Sequence, residues 1–193
     1  MDDLKKGLYI VSTPIGNLDD ISIRAKNILS LSDFIICENP KHSIKLLNKL
    51  GIKKKLFPLH DYNEFSLIRR VDKYKDNSVI ALISDAGSPL VSDPGYNLVK
   101  NYIKNDIFVT SIPGPSSVIT SLQLSGLPSN NFIFFGFVPK NKGALSKMAT
   151  KALALDFTSI FFISANRLLF FLQEIKGISK DIDVAICKEL TKI

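Results

Sequence analysis

Val79-Ile80-Ala81-Leu82-Ile83-Ser84-Asp85-Ala86-Gly87-Ser88-Pro89-Leu90-Val91-Ser92-Asp93-Pro94-Gly95 is the stretch on which the architecture turns. Val79 to Ile83 is a short apolar run bounded by turn residues, which predicts a buried strand. The segment that follows is dominated by Asp, Gly, Pro and Ser. It is stiffened by prolines, opened by glycines, and carries Asp85 and Asp93 at the carboxyl end of a central strand. In open α/β sheets that end is where ligands bind. The competing reading is a polar surface loop with turn chemistry alone.

Outward from this stretch the same alternation repeats. Gly7–Ser12, Asp33–Cys37, Lys55–Pro58 and Ile107–Ser111 read as further strands. Between them lie segments with apolar residues at helical spacing. Ile21, Ala25, Ile28 and Leu29 follow Asp19 or Asp20 as N-cap, and Ile44, Leu47 and Leu50 follow Asn39 and Pro40. Phe65, Ile68, Val71 and Tyr74 follow Asn63, and further helices run over Gly95–Lys104 and up to Ser125. Strands alternating with helices predict an α/β fold with a parallel, doubly wound sheet. The expected organisation is a five-stranded N-terminal domain over residues 1–125, a linker at 126–131, and a C-terminal α/β domain over 132–193. The second domain is expected to hold strands at Phe132–Val138, Thr158–Ile163 and Asp183–Cys187, and with so few strands it reads as incomplete.

The 193-residue chain is 46% hydrophobic and 22% charged, ordinary for a globular protein long enough to bury a core. Its apolar runs are shorter than a membrane span, and Met1 to Lys6 lacks a signal pattern. Cys37 and Cys187 suit a reducing cytoplasm rather than a disulfide framework. His42 and His60 sit beside no cysteine pair, so no metal site is expected. The net charge of +7 is uneven. No acid occurs between Glu38 and Asp61, where six lysines from Lys41 to Lys55 fall, and none between Ile107 and Leu155. Localised basic patches point to an anionic partner, nucleic acid first. Lys41, Lys45 and Lys49 recur every four residues as one helical stripe; with Lys53 to Lys55 they form either a phosphate track or a solvated face.

Four segments with special turn chemistry, at residues 13–18, 60–64, 84–95 and 112–117, follow strands of one sheet and so converge on one rim. Neither a Gly-x-Gly-x-x-Gly fingerprint nor a P-loop occurs, and no activated nucleophile is evident. That favours chemistry performed by positioning two bound reactants, with a cofactor carrying the reactive group. A sulfonium donor suits such a rim. Carbonyls and carboxylates meet its charge, and apolar and amide groups meet its nucleoside.

Several longer motifs carry a family resemblance. Leu8-Tyr9-Ile10-Val11-Ser12-Thr13-Pro14-Ile15-Gly16-Asn17-Leu18-Asp19-Asp20-Ile21, Leu59-His60-Asp61-Tyr62-Asn63-Glu64, the opening stretch, and Pro113-Gly114-Pro115-Ser116-Ser117 resemble the ribosomal RNA small subunit methyltransferase I family of the tetrapyrrole methylase superfamily. Ser125-Gly126-Leu127-Pro128, Phe135-Gly136-Phe137-Val138-Pro139 and Lys188-Glu189-Leu190-Thr191-Lys192-Ile193 are similar to it as well. The resemblance implies two α/β domains, S-adenosylmethionine as donor, and 2′-O-methylation of a decoding-site cytidine in the 16S ribosomal RNA of the small subunit, by a cytoplasmic homodimer. It implies that Thr13, Pro14, Gly16, Asp85, Ala86, Gly87, Leu90, Val91, Ser116 and Ser117 line the donor site. On the acceptor side, Asp61 and Glu64 are then the candidate bases, His60 and Asn63 orient the ribose, and Lys41, Lys45 and Lys49 meet phosphates.

The chain departs from the family pattern at two places. Glu38-Asn39-Pro40-Lys41 stands where the family has Glu-Asp-Thr-Arg, which removes a carboxylate and the bidentate capacity of Arg. Phe162-Ile163-Ser164-Ala165-Asn166-Arg167 stands where it has Tyr-Glu-Ser-Pro-His-Arg. The family also continues beyond the Glu-Leu-Thr-Lys-Ile motif. Two further readings follow: a methyltransferase of the same fold acting on a tetrapyrrole or a protein side chain, and an RNA-binding remnant without activity.

Overall fold

The structure is a computed structural model and describes residues 4–192. Five parallel strands, β1 (Gly7–Val11), β2 (Phe34–Cys37), β3 (Lys55–Pro58), β4 (Val79–Ile83) and β5 (Val109–Ile112), form one sheet in the order β3-β2-β4-β1-β5. The apolar run Val79–Ile83 is β4, the middle strand of the sheet, and is buried at every position. An apolar run with no alternation suits a strand covered on both faces.

Successive residues of these strands feed two separate cores, as a two-residue period requires. On one face Tyr9, Val11, Ile35, Cys37, Ala81 and Ile83 pack with Ala25, Ile28 and Leu29 of α1 (Ile23–Leu31) and Leu47 of α2 (Pro40–Lys49). On the other, Leu8, Ile36, Ile80 and Leu82 meet Leu67, Ile68 and Val71 of α3 (Glu64–Val71), and Leu98 and Tyr102 of α4 (Tyr96–Lys104). Each fully buried Leu or Ile contributes roughly 1.5–3 kcal/mol. The sheet is therefore doubly wound as expected.

Several local expectations shift. The cap of α1 is Ser22, whose Oγ accepts the Ala25 N–H at 3.0 Å; Asp19 and Asp20 lie instead in a 3-10 turn capped by Asn17. In α3 the inward face is Glu64, Leu67, Ile68 and Val71, and Phe65 points outward. In α2, Ser43, Leu46 and Leu47 are buried and Ile44 is exposed. A helix advances about 100° per residue, so an apolar residue beside the true stripe shifts the apparent face by one position.

The chain divides into two compact units, one reaching Ser117 and regaining the segment from Glu189, the other running from Val118 to Lys188. The boundary expected after residue 125 coincides instead with the end of α5 (Ser117–Ser125), where Gly126 takes φ 69°. Turn chemistry shows where a helix stops, not which core it joins.

In the second unit β6 (Phe132–Phe137) pairs in parallel with β7 (Thr158–Phe162), with a register shift between Phe134 and Phe137 where Gly136 takes φ 72°. Helices α6 (Lys142–Leu153) and α7 (Ala165–Ile178) supply Leu145, Ala149, Phe171 and Ile175 to its core beside Val138. The strand expected at Asp183–Cys187 is not formed, and Ile182, Val184 and Ile186 are exposed. Alternating apolar residues suit a strand only where a neighbouring strand is present to pair with it.

Candidate active site

The loops leaving β1 and β4 start side by side because those strands are neighbours. Thr13 N–H donates to the Gly87 carbonyl at 2.9 Å, and Gly87 N–H donates to the Thr13 carbonyl at 3.0 Å. Thr13 Oγ1 donates to the Ser84 carbonyl at 3.3 Å. Gly87 takes φ 80°, and a Cβ there would stand 3.3 Å from Ile15 Cγ2. L-residues avoid that backbone region, which explains the glycine. The β5 loop joins the other two: Ser88 Oγ donates to the Pro115 carbonyl at 3.3 Å and lies 3.1 Å from Ser12 Oγ. Three of the four expected loops thus interlock as one rim at the strand ends.

Within that rim Thr13, Pro14 and Gly87 are buried, Asp85, Leu90, Ser116 and Ser117 are half-buried, and Gly16, Ala86 and Val91 are exposed. Leu90, at φ 71°, packs its side chain onto the second core. Gly16 has a different reason to be glycine. A Cβ there would lie 2.3 Å from the Leu190 carbonyl, and Asn17 N–H donates to Thr191 Oγ1 at 3.0 Å. The 189–192 segment therefore lies across the β1 loop.

Asp85 Oδ1 is buried and makes no hydrogen bond among the described residues. A buried carboxylate oxygen without a partner requires an explanation, and a cationic ligand supplies one. Together with the backbone carbonyls of the rim and the apolar Pro14 and Ile15, it fits a positively charged, nucleoside-bearing donor.

Asp93 lies in the same 84–95 loop but is not among the residues expected for the site. Burial, first, then the like charges of Glu38 and Asp85, push its carboxyl up to about 6, while the Ser84 hydroxyl works the other way. The position of Asp93 in Ser92-Asp93-Pro94-Gly95 is visible in the chain; its approach to Glu38 needs the knowledge that β2 neighbours β4. Burial also pushes the Cys37 thiol up to about 11, which leaves it unreactive.

The 60–64 turn follows β3. Asn63 Oδ1 accepts the His60 N–H at 2.7 Å, and Asn63 Nδ2 donates to the Pro58 carbonyl at 3.1 Å. Asn63 is the N-cap residue of α3, as expected, but its side chain closes the turn and makes no capping bond to the helix. Glu64 is 3% exposed. Its Oε1 accepts the Leu98 N–H at 2.8 Å and its Oε2 accepts from Asn97 Nδ2 at 3.0 Å. Glu64 therefore caps α4, whose own N-cap residue is Gly95 and has no side chain to offer. Of the two candidate bases Asp61 is exposed, whereas both Glu64 oxygens are engaged. His60 stacks on Tyr62 with ring centroids 5.2 Å apart.

Lys41, Lys45 and Lys49 are exposed along α2. That helix leaves the rim, and at 1.5 Å per residue Lys49 stands about 12 Å further from it than Lys41. Lys53 to Lys55 lead into β3 from the end of α2 that carries Lys49, at the opposite end of the strands from the rim, so of these lysines Lys41 stands nearest the loops. In the second unit Arg167 Nη1 donates to the Val138 carbonyl at 2.9 Å and Nη2 donates to the Pro139 carbonyl, fixing the loop after β6.

Comparison with known proteins places these features in a family. The family Tetrapyrrole (Corrin/Porphyrin) Methylases matches residues 7–192. The chain is 44% identical over 191 residues to ribosomal RNA small subunit methyltransferase I of Rickettsia prowazekii, covering 98% of this chain and 68% of the relative. It is 43% identical to the protein of that name from Escherichia coli O157:H7, covering 99% of this chain and 68% of the relative. The corresponding figures for the Thermotoga maritima relative are 41%, 96% and 84%. Across most of these relatives the chain spans about two thirds of their length, 65% in the Vibrio cholerae protein. Among solved structures, diphthine synthase superposes with a TM-score of 0.67 over 88% of this chain and 70% of that one, at 13% identity, which is a likeness of fold.

Proposed function

The chain belongs to the ribosomal RNA small subunit methyltransferase I family of the tetrapyrrole methylases, and from that premise we propose that it transfers a methyl group from S-adenosylmethionine to a ribose 2′-hydroxyl of a cytidine in the decoding site of 16S ribosomal RNA. The observation that carries the donor assignment is the Thr13–Gly87 bridge beside the unpartnered Asp85 oxygen. When bound, S-adenosylmethionine supplies a methyl group made electrophilic by sulfonium charge.

The chain's own residues then do the positioning. Thr13, Pro14 and Gly87 form the floor of the donor site, and Asp85 offers negative charge to a cationic ligand. Ser116 and Ser117, where the β5 loop enters α5, belong to the same donor site in this reading. The acceptor hydroxyl is poorly acidic, and its proton needs a place to go. Asp61, exposed on the 60–64 turn, is the proton acceptor in this reading. Glu64 holds α4 and so fixes the exit of the 84–95 loop. His60 and Asn63 keep the turn in shape for the ribose, and Lys41 with Lys45 and Lys49 meets backbone phosphates. The reaction belongs to the cytoplasm, where small ribosomal subunits are, and to a homodimer. Among the described residues no helix is long and apolar enough to cross a membrane.

Isothermal calorimetry with S-adenosylmethionine, followed by methylation of small ribosomal subunits and nucleoside analysis, tests the proposal. The expected product is 2′-O-methylcytidine. RNA binding without donor binding would instead mark an RNA-binding remnant, and methylation of a tetrapyrrole or protein in place of RNA would move the acceptor to another class.

A further inference from the structure

Around the Glu64–Asn97 hydrogen bond the chain carries three large aromatic side chains that the fold does not bury. Tyr62 precedes Glu64 by two residues, Phe65 follows it directly, and Tyr96 directly precedes Asn97. They are 88%, 67% and 64% exposed. Water-exposed aromatic surface carries a cost that monomeric proteins limit, and grouped instances mark binding sites. The mounting is rigid. Asn63 pins the turn through two backbone hydrogen bonds, His60 backs the Tyr62 ring, and Glu64 ties α3 to the first turn of α4.

Cations stand among these rings. Arg69 lies one helical turn beyond Phe65 and is exposed on the same face of α3. Lys100 Nζ sits 5.6 Å from the centre of the Tyr96 ring. The acids close by in the chain are Asp61, exposed, Glu64, buried with both oxygens engaged, and Asp93, half-buried three residues before Tyr96. Exposed rings interleaved with cations suit unpaired nucleotides, because every base offers a π-face and every phosphate a charge. A duplex hides the faces of its bases and does not use such a surface.

We infer that Tyr62, Phe65 and Tyr96 form a stacking platform for unpaired bases of a single-stranded RNA segment flanking the acceptor nucleotide, an inference that rests on the RNA-acceptor reading above. Stacking is sequence-tolerant and releases no counterions. The platform therefore adds affinity for looped or open RNA without adding to the salt dependence that the lysines produce.

The test is fluorescence anisotropy with a labelled single-stranded oligocytidine and with a duplex of the same length, using the whole chain. Tyr62→Ala is expected to weaken single-strand binding at least about fivefold, since one stacked base is worth roughly 1–3 kcal/mol. Duplex binding, the salt slope and the affinity for S-adenosylmethionine are expected to match the parent. Tyr62→Phe keeps the ring and is expected to stay within about twofold of the parent, while Tyr62→Leu is expected to follow Tyr62→Ala. If the parent binds single-stranded RNA and Tyr62→Ala binds it equally well, the platform is overturned and the acceptor reading stands. If the parent binds neither this RNA nor small ribosomal subunits, both fall. A Tyr62→Ala or Phe65→Ala chain that changes its sedimentation but not its RNA affinity would assign the patch to a subunit contact and overturn the platform.

Discussion

Thr13 and Gly87 pair as antiparallel neighbours, exchanging hydrogen bonds of 2.9 and 3.0 Å, although β1 and β4, which lead into them, run parallel. The two loops must therefore turn toward each other immediately beyond the strand ends. That reversal closes the rim and leaves Asp85 inside it, since Asp85 falls between the end of β4 and Gly87.

Replacing Gly87 tests this closure. At φ 80° with Ile15 Cγ2 at 3.3 Å, Gly87→Ala meets both backbone strain and a tight contact. The strain alone costs about 1–2 kcal/mol. We expect urea unfolding to show a loss of that order and calorimetry to show donor affinity reduced at least about tenfold, near 1.4 kcal/mol. Unchanged donor affinity in a folded Gly87→Ala chain would remove this loop from the donor site.

Gly16 makes a second, separable prediction. A Cβ would approach the Leu190 carbonyl to 2.3 Å, so Gly16→Ala displaces the 189–192 segment, and the Asn17 N–H loses Thr191 Oγ1 as acceptor. The expected result is faster amide exchange of Asn17 and earlier proteolysis after Lys188, with a stability loss of about 1–3 kcal/mol. Protection of the Asn17 amide equal to the parent's would show that the segment does not depend on this close approach.

Much of this arrangement is legible in the chain, and the illegible part has physical causes. The β4 run is apolar at every position because both faces are covered, and that pattern reads directly. The loops at 13–18, 84–95 and 112–117 advertise themselves by turn residues whose φ angles or close approaches only glycine tolerates. Glu64 does not advertise itself. Its role depends on the amino terminus of α4, which tertiary packing brings to it, and a carboxylate after Asn63 looks like an ordinary first-turn acid. Phe65 reads as core because an apolar residue beside a stripe cannot be told from one within it. Asp183–Cys187 alternates like a strand, but pairing belongs to a partner strand and not to the alternation.

Asp93 gives a pH prediction with a definite sign. Its carboxyl is raised from 3.8 to about 6 in the folded chain, with Glu38 and Asp85 as the like charges facing it and the Ser84 hydroxyl as the opposing group. The native state binds this proton more tightly than the unfolded chain does. Its contribution to stability is therefore fully present below about pH 4 and lost as pH rises through about 6. A difference of roughly 2 corresponds to about 3 kcal/mol in a dry site, and solvent beside a half-buried group reduces this to about 1 kcal/mol. Asp93→Asn removes the titration, so urea unfolding is expected to show the variant gaining about 1 kcal/mol on the parent between about pH 4.5 and pH 7.5. Parallel stability curves for the two chains would contradict it.

The two carboxylates of the 60–64 turn separate by their surroundings. Asp61 is exposed and at the head of the turn, whereas Glu64 gives both oxygens to Asn97 and Leu98. Asp61→Asn keeps the shape and loses basicity. A proton-accepting role predicts that turnover falls, by about a hundredfold or more, while donor affinity is unchanged. Glu64→Gln keeps an acceptor for Leu98 N–H but turns an amide toward Asn97 Nδ2, so one hydrogen bond is replaced by a donor–donor contact. Loosening α4 moves the exit of the donor loop, which predicts a destabilisation of about 1–3 kcal/mol together with weaker S-adenosylmethionine binding. Single-turnover methylation of small ribosomal subunits at saturating donor, with calorimetry on the same two variants, distinguishes the roles. Turnover within about twofold of the parent for Asp61→Asn would leave positioning of the two reactants as the whole of the catalysis.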